Sequence, residues 1–411
     1  MPNNSQNNIT ALNFAFLWFG AAVSIAEIMT GGLLAPLGFQ TGIGAIIAGH
    51  LMGTTILVLG GIIGTEERIP ALASTRISFG TYGSYLFSGL NVLQLLGWTA
   101  VMIMAGARSV NQITKTLWSF DHIALWSVVI GLLICLWIWT GKEGWKKWNL
   151  TAVFALFILT ILLSLVVFQD DGIFTKRPAG SMTLGTAIEL NVIMPLSWLP
   201  LIADYTRFAR HKRDGAWGSW LGYFTGSCWM YIIGLGTAIA AENSDITAMM
   251  LVANLGFVAL GIVILSTVTT TFLDAYSAGV TFLNFFPKLP EKTVALVMGG
   301  LGTILALLVN MEQYENFLYA IGSVFAPLFA IVLTDYFILK NKKADPQLMI
   351  NWNALLVWIL GIVLYYQFIK FDLILGATAP VMACTGGIYL LTWRCTKTWK
   401  CLKVSQKTYA Q

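Results

Sequence analysis

Runs of apolar residues separated by short polar segments repeat along the whole chain. A helix needs about 20 such residues to cross the hydrocarbon core of a bilayer. The pattern predicts twelve transmembrane helices, at about 12–38, 41–64, 83–107, 122–140, 149–168, 185–203, 217–240, 248–275, 293–309, 316–338, 353–369 and 373–393. The segment 276–290, which contains Asn284, Pro287 and Pro290, is predicted to be an interfacial or re-entrant connector.

Composition agrees with this pattern and excludes other classes of protein. Of the 411 residues, 57% are hydrophobic and 10% are charged, whereas a soluble domain carries roughly 25% charged residues. We therefore expect an all-α polytopic membrane protein that contacts lipid and does not bind nucleic acid. The five cysteines and three histidines lack the spacing of metal ligands, and no resident cofactor is expected.

The distribution of lysine and arginine predicts the orientation, because these residues concentrate in cytoplasmic loops. With a cytoplasmic N-terminus, nineteen of the 24 fall in cytoplasmic loops or in the C-terminal tail. The other five, Arg108, Lys115, Lys176, Arg177 and Lys370, fall in external loops. The sequence thus predicts that both termini are cytoplasmic and that the number of helices is even.

The first predicted helix carries Glu27 and is predicted to break at Thr30-Gly31-Gly32, with Pro36 just beyond. A charge inside the membrane is costly, and non-helical backbone is tolerated there only where it lines a cavity. A broken helix with a buried acid is typical of a ligand site in a transporter. The alternative is that the Glu27 carboxyl only bonds a neighbouring helix, and the same alternative holds for Asp274.

The sixth predicted helix is also interrupted, since Pro195 and Pro200 each remove a backbone donor. Breaks in the first and sixth helices are expected if helices 1–5 and 6–10 form two inverted halves. This predicts a tail at 1–11, a first repeat at 12–168 and a second repeat at 185–338. Two peripheral helices at 353–393 and a basic cytoplasmic tail at 394–411 complete the predicted organisation.

Two further helices carry polar side chains that point to a ligand. Asn91, Gln94 and Trp98 share one face of the third helix, and an indole beside an amide suits a planar heteroaromatic ligand. The alternative is an interfacial tryptophan with a packing amide.

The eighth helix contains Ser266-Thr267-Val268-Thr269-Thr270-Thr271. Its hydroxyls, with carbonyls freed by the break in helix 1, suit a monovalent cation such as Na⁺, although such hydroxyls often bond their own helix.

Four segments resemble the nucleobase–cation symporters, the family that carries cytosine, allantoin and hydantoins. They are Met29-Thr30-Gly31-Gly32, Arg76-Ile77-Ser78-Phe79-Gly80, Gly97-Trp98 and Ala203-Asp204-Tyr205-Thr206-Arg207-Phe208. The resemblance runs from about Leu12 to Trp393 and implies the leucine-transporter fold with a five-plus-five inverted repeat. Within the family, the chain most resembles the hydroxymethylpyrimidine permeases associated with thiamine precursors. This implies uptake of 4-amino-5-hydroxymethyl-2-methylpyrimidine across a bacterial inner membrane by a monomer, coupled to Na⁺ or, as the alternative, H⁺.

The resemblance also implies roles for individual residues. Trp98 is expected to stack on the substrate with Gln94 beside it, and the segment Pro195 to Trp198, which includes Ser197, is expected to bind substrate. Asn91 and Thr271 are further candidates. For Na⁺, the expected ligands are the backbone of Gly20 and Ser24 together with Ser266, Thr269 and Thr270.

The chain departs from the family at several of these positions. Pro195 stands where cytosine permeases have an aromatic residue, so Trp198 is the candidate for the second aromatic face. Asparagines expected on helix 8 are replaced by Ser266 and Thr271. Glu27 lies outside the general pattern and is the candidate for discriminating the substrate or coupling a proton. These differences indicate a substrate other than simply cytosine.

Three other functions compete with this interpretation. A membrane enzyme would need a nucleophile–base pair, a metal cluster or a cofactor motif, and the sequence offers none. A channel would need a pore-lining repeat or filter. An amino-acid permease of the same fold would bind a carboxylate with half-helix N-termini and would not need a tryptophan platform. Cytosine or another nucleobase remains the second substrate candidate.

Overall fold

The computed structural model describes residues 9–169, 171–176, 180–242, 257–308 and 314–408. Over these ranges the protein is helical, and we number the α-helices in chain order. They are α1 (Ala11–Ala22), α2 (Ile25–Leu33), α3 (Phe39–Glu67), α4 (Ala71–Ser74), α5 (Arg76–Trp118), α6 (Ile123–Val167), α7 (Leu184–Ser197), α8 (Leu199–Thr206), α9 (Lys212–Ala241), α10 (Phe257–Phe282), α11 (Glu291–Leu308), α12 (Tyr314–Leu333), α13 (Trp352–Phe371) and α14 (Thr378–Thr408). A π-helical turn at Thr334–Ile338 extends α12.

Helices occur wherever the sequence predicts a span. Within the described residues, eight helices are long and apolar enough to cross a membrane, or nine when the bent pair α1–α2 is counted as one span. The second half of α6, Thr151–Val167, is apolar but slightly shorter. The other two predicted spans fall on α10 and α14, although much of the predicted start at 248–256 lies outside the described residues.

Helix α6 contains two spans rather than one. Its 45 residues would extend about 68 Å as a straight rod, more than twice the thickness of the hydrocarbon core. Near its start, the Trp126 indole bonds Thr114 at the end of α5 (3.2 Å). Just past its end, Phe168 packs on Phe39 at the start of α3, with ring centroids 5.8 Å apart. The start of α3 and the end of α5 lie on the same side of the helix bundle, because the short segment 68–75 joins the end of α3 to the start of α5. Helix α6 begins and ends on that side, so it crosses the bundle and returns.

The break in the first span lies at Val23 and Ser24, so the predicted break at Thr30-Gly31-Gly32 was wrong. Helices α1 and α2 meet there at 60°. Ser24 has an extended backbone and caps α2, since its Oγ accepts a hydrogen bond from the Glu27 amide (3.3 Å). A Cβ at Gly31 would collide with the backbone of Tyr231 on α9. Glycine at this position therefore allows close helix packing instead of breaking the helix.

The second interrupted span follows the prediction more closely. Helix α7 ends at Ser197, α8 begins at Leu199, and Trp198 forms the junction between them. Pro200 lies in the first turn of α8, where a missing amide hydrogen costs nothing. Both helices are almost completely buried, so this pair occupies the centre of the protein beside α1 and α2.

The predicted connector at 276–290 was wrong over its first half. Helix α10 continues to Phe282, and the connector to α11 spans only 283–290. The residues 276–282 contain no proline, and their buried positions Ser277, Val280 and Thr281 allow the helix to continue on the same face. Only Asn284 and the two prolines beyond it interrupt the helical backbone.

The charged side chains separate to two ends of the helix bundle. At one end, which we call the basic end, Lys212 and Lys342 both pair with Glu66, and Arg68 donates to the carbonyls of Arg207 and Ala209. At the opposite end, Lys115 pairs with Asp121 (2.7 Å). This separation agrees with the predicted division of lysine and arginine between the two sets of loops.

Candidate functional site

A buried cavity lies where the two interrupted spans meet. It is lined by residues of both interrupted spans, of α5 and of α10: Ser24, Ala26, Glu27, Trp98, Met102, Met194, Ser197, Trp198, Thr270 and Asp274. Six of the residues predicted for a site therefore come together, namely Ser24, Glu27, Trp98, Ser197, Trp198 and Thr270. Breaks in buried helices explain this position, because an interrupted helix leaves backbone and side chains free to face a cavity.

Two tryptophans form the aromatic part of the wall. Trp98 comes from α5 and packs edge-on against Phe317, with ring centroids 5.3 Å apart, and against Tyr314 (6.1 Å). Its indole Nε1 has no hydrogen-bond partner within the described residues. Trp198 comes from the junction of α7 and α8. The cavity wall therefore has two indoles, one from α5 and one from the junction of α7 and α8. The N–H of the Trp98 indole is a free donor within the described residues.

Gln94 lies beside the cavity and supports its wall. Its amide nitrogen donates to the carbonyl of Ser197 (2.8 Å), so it holds the C-terminal end of α7 against α5. The Gln94 Oε1 atom is buried and has no hydrogen-bond partner among the residues that the structure describes. The side chain thus has one free acceptor, one helical turn along α5 from Trp98.

Glu27 both lines the cavity and joins two helices. Its Oε1 accepts a hydrogen bond from the Tyr223 hydroxyl (2.8 Å), and its Oε2 bonds the Ser227 hydroxyl (2.7 Å). Tyr223 and Ser227 belong to α9. The two interpretations of Glu27 drawn from the sequence are therefore not exclusive, because the same carboxyl bonds a neighbouring helix and faces the cavity.

Sequence reasoning missed part of the lining. Asp274, treated above only as a costly buried acid, supplies a second carboxyl to the cavity, and Met102 and Met194 supply thioether side chains. Asp274 follows Thr270 by one helical turn, so the i, i+4 spacing along the eighth helix could have placed both on one face. The methionines carry no such signal, because methionine is common in any apolar core.

Three predicted substrate residues lie away from the cavity lining. Asn91 donates to Thr281 Oγ1 (2.9 Å), toward the basic end. Pro195 packs against Gly53 of α3, and Thr271 is buried without a partner for its hydroxyl in the described region. Helical geometry explains the difference, since Thr271 is rotated by about 100° from Thr270.

Three of the five predicted cation ligands, Gly20, Ser24 and Thr270, lie at or next to the break between α1 and α2. Thr270 Oγ1 donates to the Ala21 carbonyl (3.2 Å) and so connects α10 to the last turn of α1. Thr269 and Ser266 bond carbonyls of their own helix. Gly20 packs closely against Val153 of α6. Because α1 ends at Ala22, the carbonyls of its last turn, including that of Gly20, lose their regular helical partners.

A second, larger cavity lies toward the basic end. Its wall includes Arg76, Asp204, Arg207 and Glu291. Tyr205 follows Asp204 of this second cavity and bonds the residue before Asp274 of the central cavity. Its hydroxyl donates to the Leu273 carbonyl (3.1 Å) and accepts from Ser277 (3.3 Å). These bonds join α8 to α10.

A family model described as a permease for cytosine/purines, uracil, thiamine and allantoin matches residues 1–391. The chain belongs to this permease family. The cytosine permease of Escherichia coli K12 is 27% identical over 94% of this permease and 91% of its own length. The hydantoin permease of Microbacterium maritypicum is 22% identical over 90% of this permease and 83% of its own length.

Solved structures establish the fold. Mhp1, a nucleobase-cation-symport-1 family transporter, was solved in a closed conformation with bromovinylhydantoin bound. It superposes with a TM-score of 0.81 at 20% identity, covering 95% of this permease and 93% of that chain. A Na⁺-coupled sialic acid symporter superposes with a TM-score of 0.68 at 12% identity, covering 94% of this permease and 89% of that chain. The predicted five-plus-five inverted repeat of the leucine-transporter fold is confirmed, and the protein is a polytopic membrane transporter of the nucleobase permease family.

Proposed function

We propose that this permease imports a pyrimidine, foremost 4-amino-5-hydroxymethyl-2-methylpyrimidine, by cation symport with alternating access. The observation that carries the proposal is one buried cavity lined by two indoles, from Trp98 and Trp198, and by two carboxyl groups, from Glu27 and Asp274. A flat aromatic ring can stack on an indole. Its exocyclic amine and its hydroxyl can each donate a hydrogen bond to a carboxyl oxygen.

Cytosine or another nucleobase is the second candidate, and the names of the relatives favour it equally. Cytosine also carries an exocyclic amine, but it has a ring carbonyl where the aminopyrimidine has a donating hydroxymethyl arm. A carbonyl oxygen facing an ionised carboxylate has no partner, and an unpaired polar group is what a site rejects. Two carboxyls in the cavity therefore support the ligand with more donors.

An amino-acid substrate is less compatible with this cavity. Its carboxylate would need a cationic side chain or a free helix N-terminus. No lysine or arginine lines the cavity in the part of the chain that the structure describes. The N-terminus of α2 at Ser24 does face the cavity, but Glu27 in its first turn already places a negative group there.

For the coupling ion, we favour Na⁺ held by the backbone of Gly20 and Ser24 together with Ser266, Thr269 and Thr270, and H⁺ is the alternative. Hydroxyl and carbonyl oxygens are the hard ligands that such a cation prefers. The bond from Thr270 to the Ala21 carbonyl supports this assignment, because it joins α10 to the last turn of α1.

We further propose that the basic end faces the cytoplasm of a bacterium, with both termini inside, and that a monomer carries out transport. Clusters such as Lys212, Lys342 and Arg68 at this end support the orientation through the preference of lysine and arginine for cytoplasmic loops. Labelling of single cysteines introduced at Lys115 and Lys342 with a membrane-impermeant reagent tests it. The Lys115→Cys protein should react from outside the cell and the Lys342→Cys protein should not.

Uptake into proteoliposomes tests the proposed function. Labelled hydroxymethylpyrimidine should accumulate when a Na⁺ gradient points inward, and excess unlabelled hydroxymethylpyrimidine should compete better than cytosine. Stronger competition by cytosine would establish the second candidate instead. Accumulation that follows a proton gradient and ignores Na⁺ would overturn the assigned ion, and competition by amino acids alone would overturn the substrate class.

A further inference from the structure

Three buried side chains on three different helices form a continuous line of hydrogen bonds. Glu27 on α2 lies 2.7 Å from the Ser227 hydroxyl on α9, measured from Oε2. The same hydroxyl lies 2.6 Å from Nε2 of His50 on α3. All three are buried, with exposures of 1% for Glu27 and 0% for the other two. Only Glu27 reaches the central cavity, so His50 lies behind it.

The hydrogen-bond partner of His50 Nδ1 determines the position of one hydrogen on the imidazole ring. His50 Nδ1 is 3.0 Å from the carbonyl oxygen of Ile46. A carbonyl oxygen can only accept, so Nδ1 must carry a hydrogen. If His50 is neutral, Nε2 is therefore an acceptor, and the hydrogen in its bond to Ser227 must come from the serine.

Ser227 has one hydroxyl hydrogen and two short contacts to satisfy. When that hydrogen points to neutral His50, the contact with Glu27 needs a hydrogen from a protonated carboxyl. When it points to an ionised Glu27, the contact with His50 needs a hydrogen from Nε2, which makes the ring an imidazolium. An ionised Glu27 combined with neutral His50 leaves one of the two contacts without any hydrogen.

We propose that Glu27, Ser227 and His50 form a proton-binding site in which a single exchangeable proton is shared between the carboxyl and the imidazole through the serine. The proton moves along the line by a paired shift. Ser227 passes its hydrogen to one partner and receives one from the other, and no bond between heavy atoms changes. The ligand of this site is the proton itself, delivered through the cavity that Glu27 lines.

The groups around the site do not change the number of hydrogens available to the Glu27–Ser227 and Ser227–His50 contacts. On α9, Tyr223 donates to the other Glu27 oxygen (2.8 Å), Tyr231 packs edge-on against the His50 ring at 4.7 Å, and Cys228 lies one residue beyond Ser227. From α10, Asp274 faces the same cavity, and from α12, Tyr314 bonds Thr30 rather than Glu27 (2.9 Å).

The other packed elements add no further ionised group to this count. Helix α1 contributes Trp18, α5 contributes Trp98, and α7 places Asn191 against Gly49, the residue before His50. Among the described residues that line the cavity or bond this triad, no lysine or arginine is present. The Na⁺ proposed at Ser24 would lie close to Glu27, because Ser24 bonds the Glu27 amide, so proton release is measured in buffer without Na⁺.

The state of His50 can be observed directly, because the chain has only three histidines. Replacing His122 by Gln and His211 by Asn leaves His50 alone, and ¹⁵N-histidine labelling in liposomes then reports each ring nitrogen by solid-state NMR. We expect Nδ1 to carry a hydrogen at every pH at which the protein is folded. A neutral ring with hydrogen on Nε2 and a bare Nδ1 would overturn the proposal. This measurement uses no variant of Glu27 or Ser227, so it does not depend on their folding.

Proton binding by the purified protein tests the shared site without any substrate, so its outcome is separate from that of the proposed transport function. Titration from acid to alkaline pH should release one proton fewer from Glu27→Gln than from the wild type, since the amide can donate to Ser227 permanently. Ser227→Ala should abolish the sharing, and Ser227→Thr should restore it. Tyr223→Phe is the matched control, because it removes the other donor to Glu27 and leaves the line of three intact. Equal proton release by the wild type and Glu27→Gln, or an unaltered His50 spectrum in Ser227→Ala, would refute the shared proton site.

Discussion

Trp18 and Trp198 pack edge to face, with ring centroids 5.7 Å apart and planes at 89°. Trp18 belongs to α1, just before the break in the first span, and Trp198 is the junction in the second interrupted span. Trp18 is fully buried and does not line the cavity, whereas Trp198 does. The aromatic wall contributed by the second repeat is thus held in place by the first repeat, so that a shift between α1 and α8 would displace the wall itself.

The first prediction concerns stacking on Trp98. Trp98→Ala should weaken substrate binding by roughly 1–3 kcal/mol, the range found for bases stacked on aromatic side chains, and Trp98→Phe should retain part of the affinity. Titration calorimetry on purified protein measures this. Trp217→Ala is the control, because that indole is 61% exposed. Unchanged affinity in folded Trp98→Ala would remove Trp98 from the site.

The second prediction concerns the cation. Thr270→Ala and Thr269→Ala should reduce Na⁺-stimulated uptake more than they lower thermal stability, because each removes an oxygen near the end of α1. Thr237→Ala is the matched control, since Thr237 is a buried threonine whose hydroxyl bonds its own helix (2.6 Å). If all three variants respond alike to Na⁺, the cation lies elsewhere.

The third prediction concerns discrimination by Glu27. Glu27→Gln keeps the shape of the side chain but turns one acceptor oxygen into a donor. Uptake of hydroxymethylpyrimidine should fall at least severalfold while expression at the membrane persists, and the preference over cytosine should narrow. Glu242→Gln, an exposed change, should have no effect. An unaltered substrate ranking in Glu27→Gln would leave that carboxyl only a structural and proton-binding role.

The fourth prediction concerns Glu189, which anchors the last two helices to the second repeat. Its buried carboxyl accepts hydrogen bonds from the Tyr365 hydroxyl (2.7 Å), the Ala377 amide (2.6 Å) and both the amide (2.8 Å) and hydroxyl (2.7 Å) of Thr378. Glu189→Ala leaves these donors buried and unpaired, which should cost about 3 kcal/mol or more. Thermal unfolding should show the loss, and the substrate affinity of the folded fraction should stay at the wild-type value. An affinity loss without a stability loss would contradict an anchoring role.

The fifth prediction concerns Tyr205, which follows Asp204 of the larger cavity and bonds the residue before Asp274 of the central cavity; we expect it to restrict passage between the two. Tyr205→Phe removes the hydroxyl that bonds α8 to the Leu273 carbonyl on α10 but keeps the ring. A cysteine introduced at Met102, in the wall of the central cavity, should then react faster with a thiol reagent applied from the basic end. A reaction rate equal to that of the parent Met102→Cys protein would show that the hydroxyl does not restrict this passage.

The sequence by itself determined the class of protein, the approximate helices and the family. Long apolar runs must cross a membrane as helices because the bilayer cannot satisfy exposed backbone groups, so the spans could be located without a structure. Pro195 and Pro200 placed the second interruption correctly, since proline acts through local geometry. Trp98 and Glu27 were predicted to belong to a site because polar and aromatic groups in a membrane helix need a reason to be there, whereas Ser197 and Trp198 were predicted from the resemblance to the family.

The tertiary structure decided the features that depend on what a residue packs against. Gly31 was expected to break the helix, yet it serves close packing against Tyr231, which lies 200 positions further along the chain. The break lies instead at Ser24, where Ser24-Ile25-Ala26-Glu27 has the spacing of a capping box that could have been noticed. Asn91 shares a face of α5 with Trp98 but lies about 10 Å further along the helix axis, whereas Thr271 lies on a different face of α10 from Thr270. His50 and Ser227 carried no local signal at all, because their chemistry arises only when α2, α3 and α9 bring three distant side chains into one line.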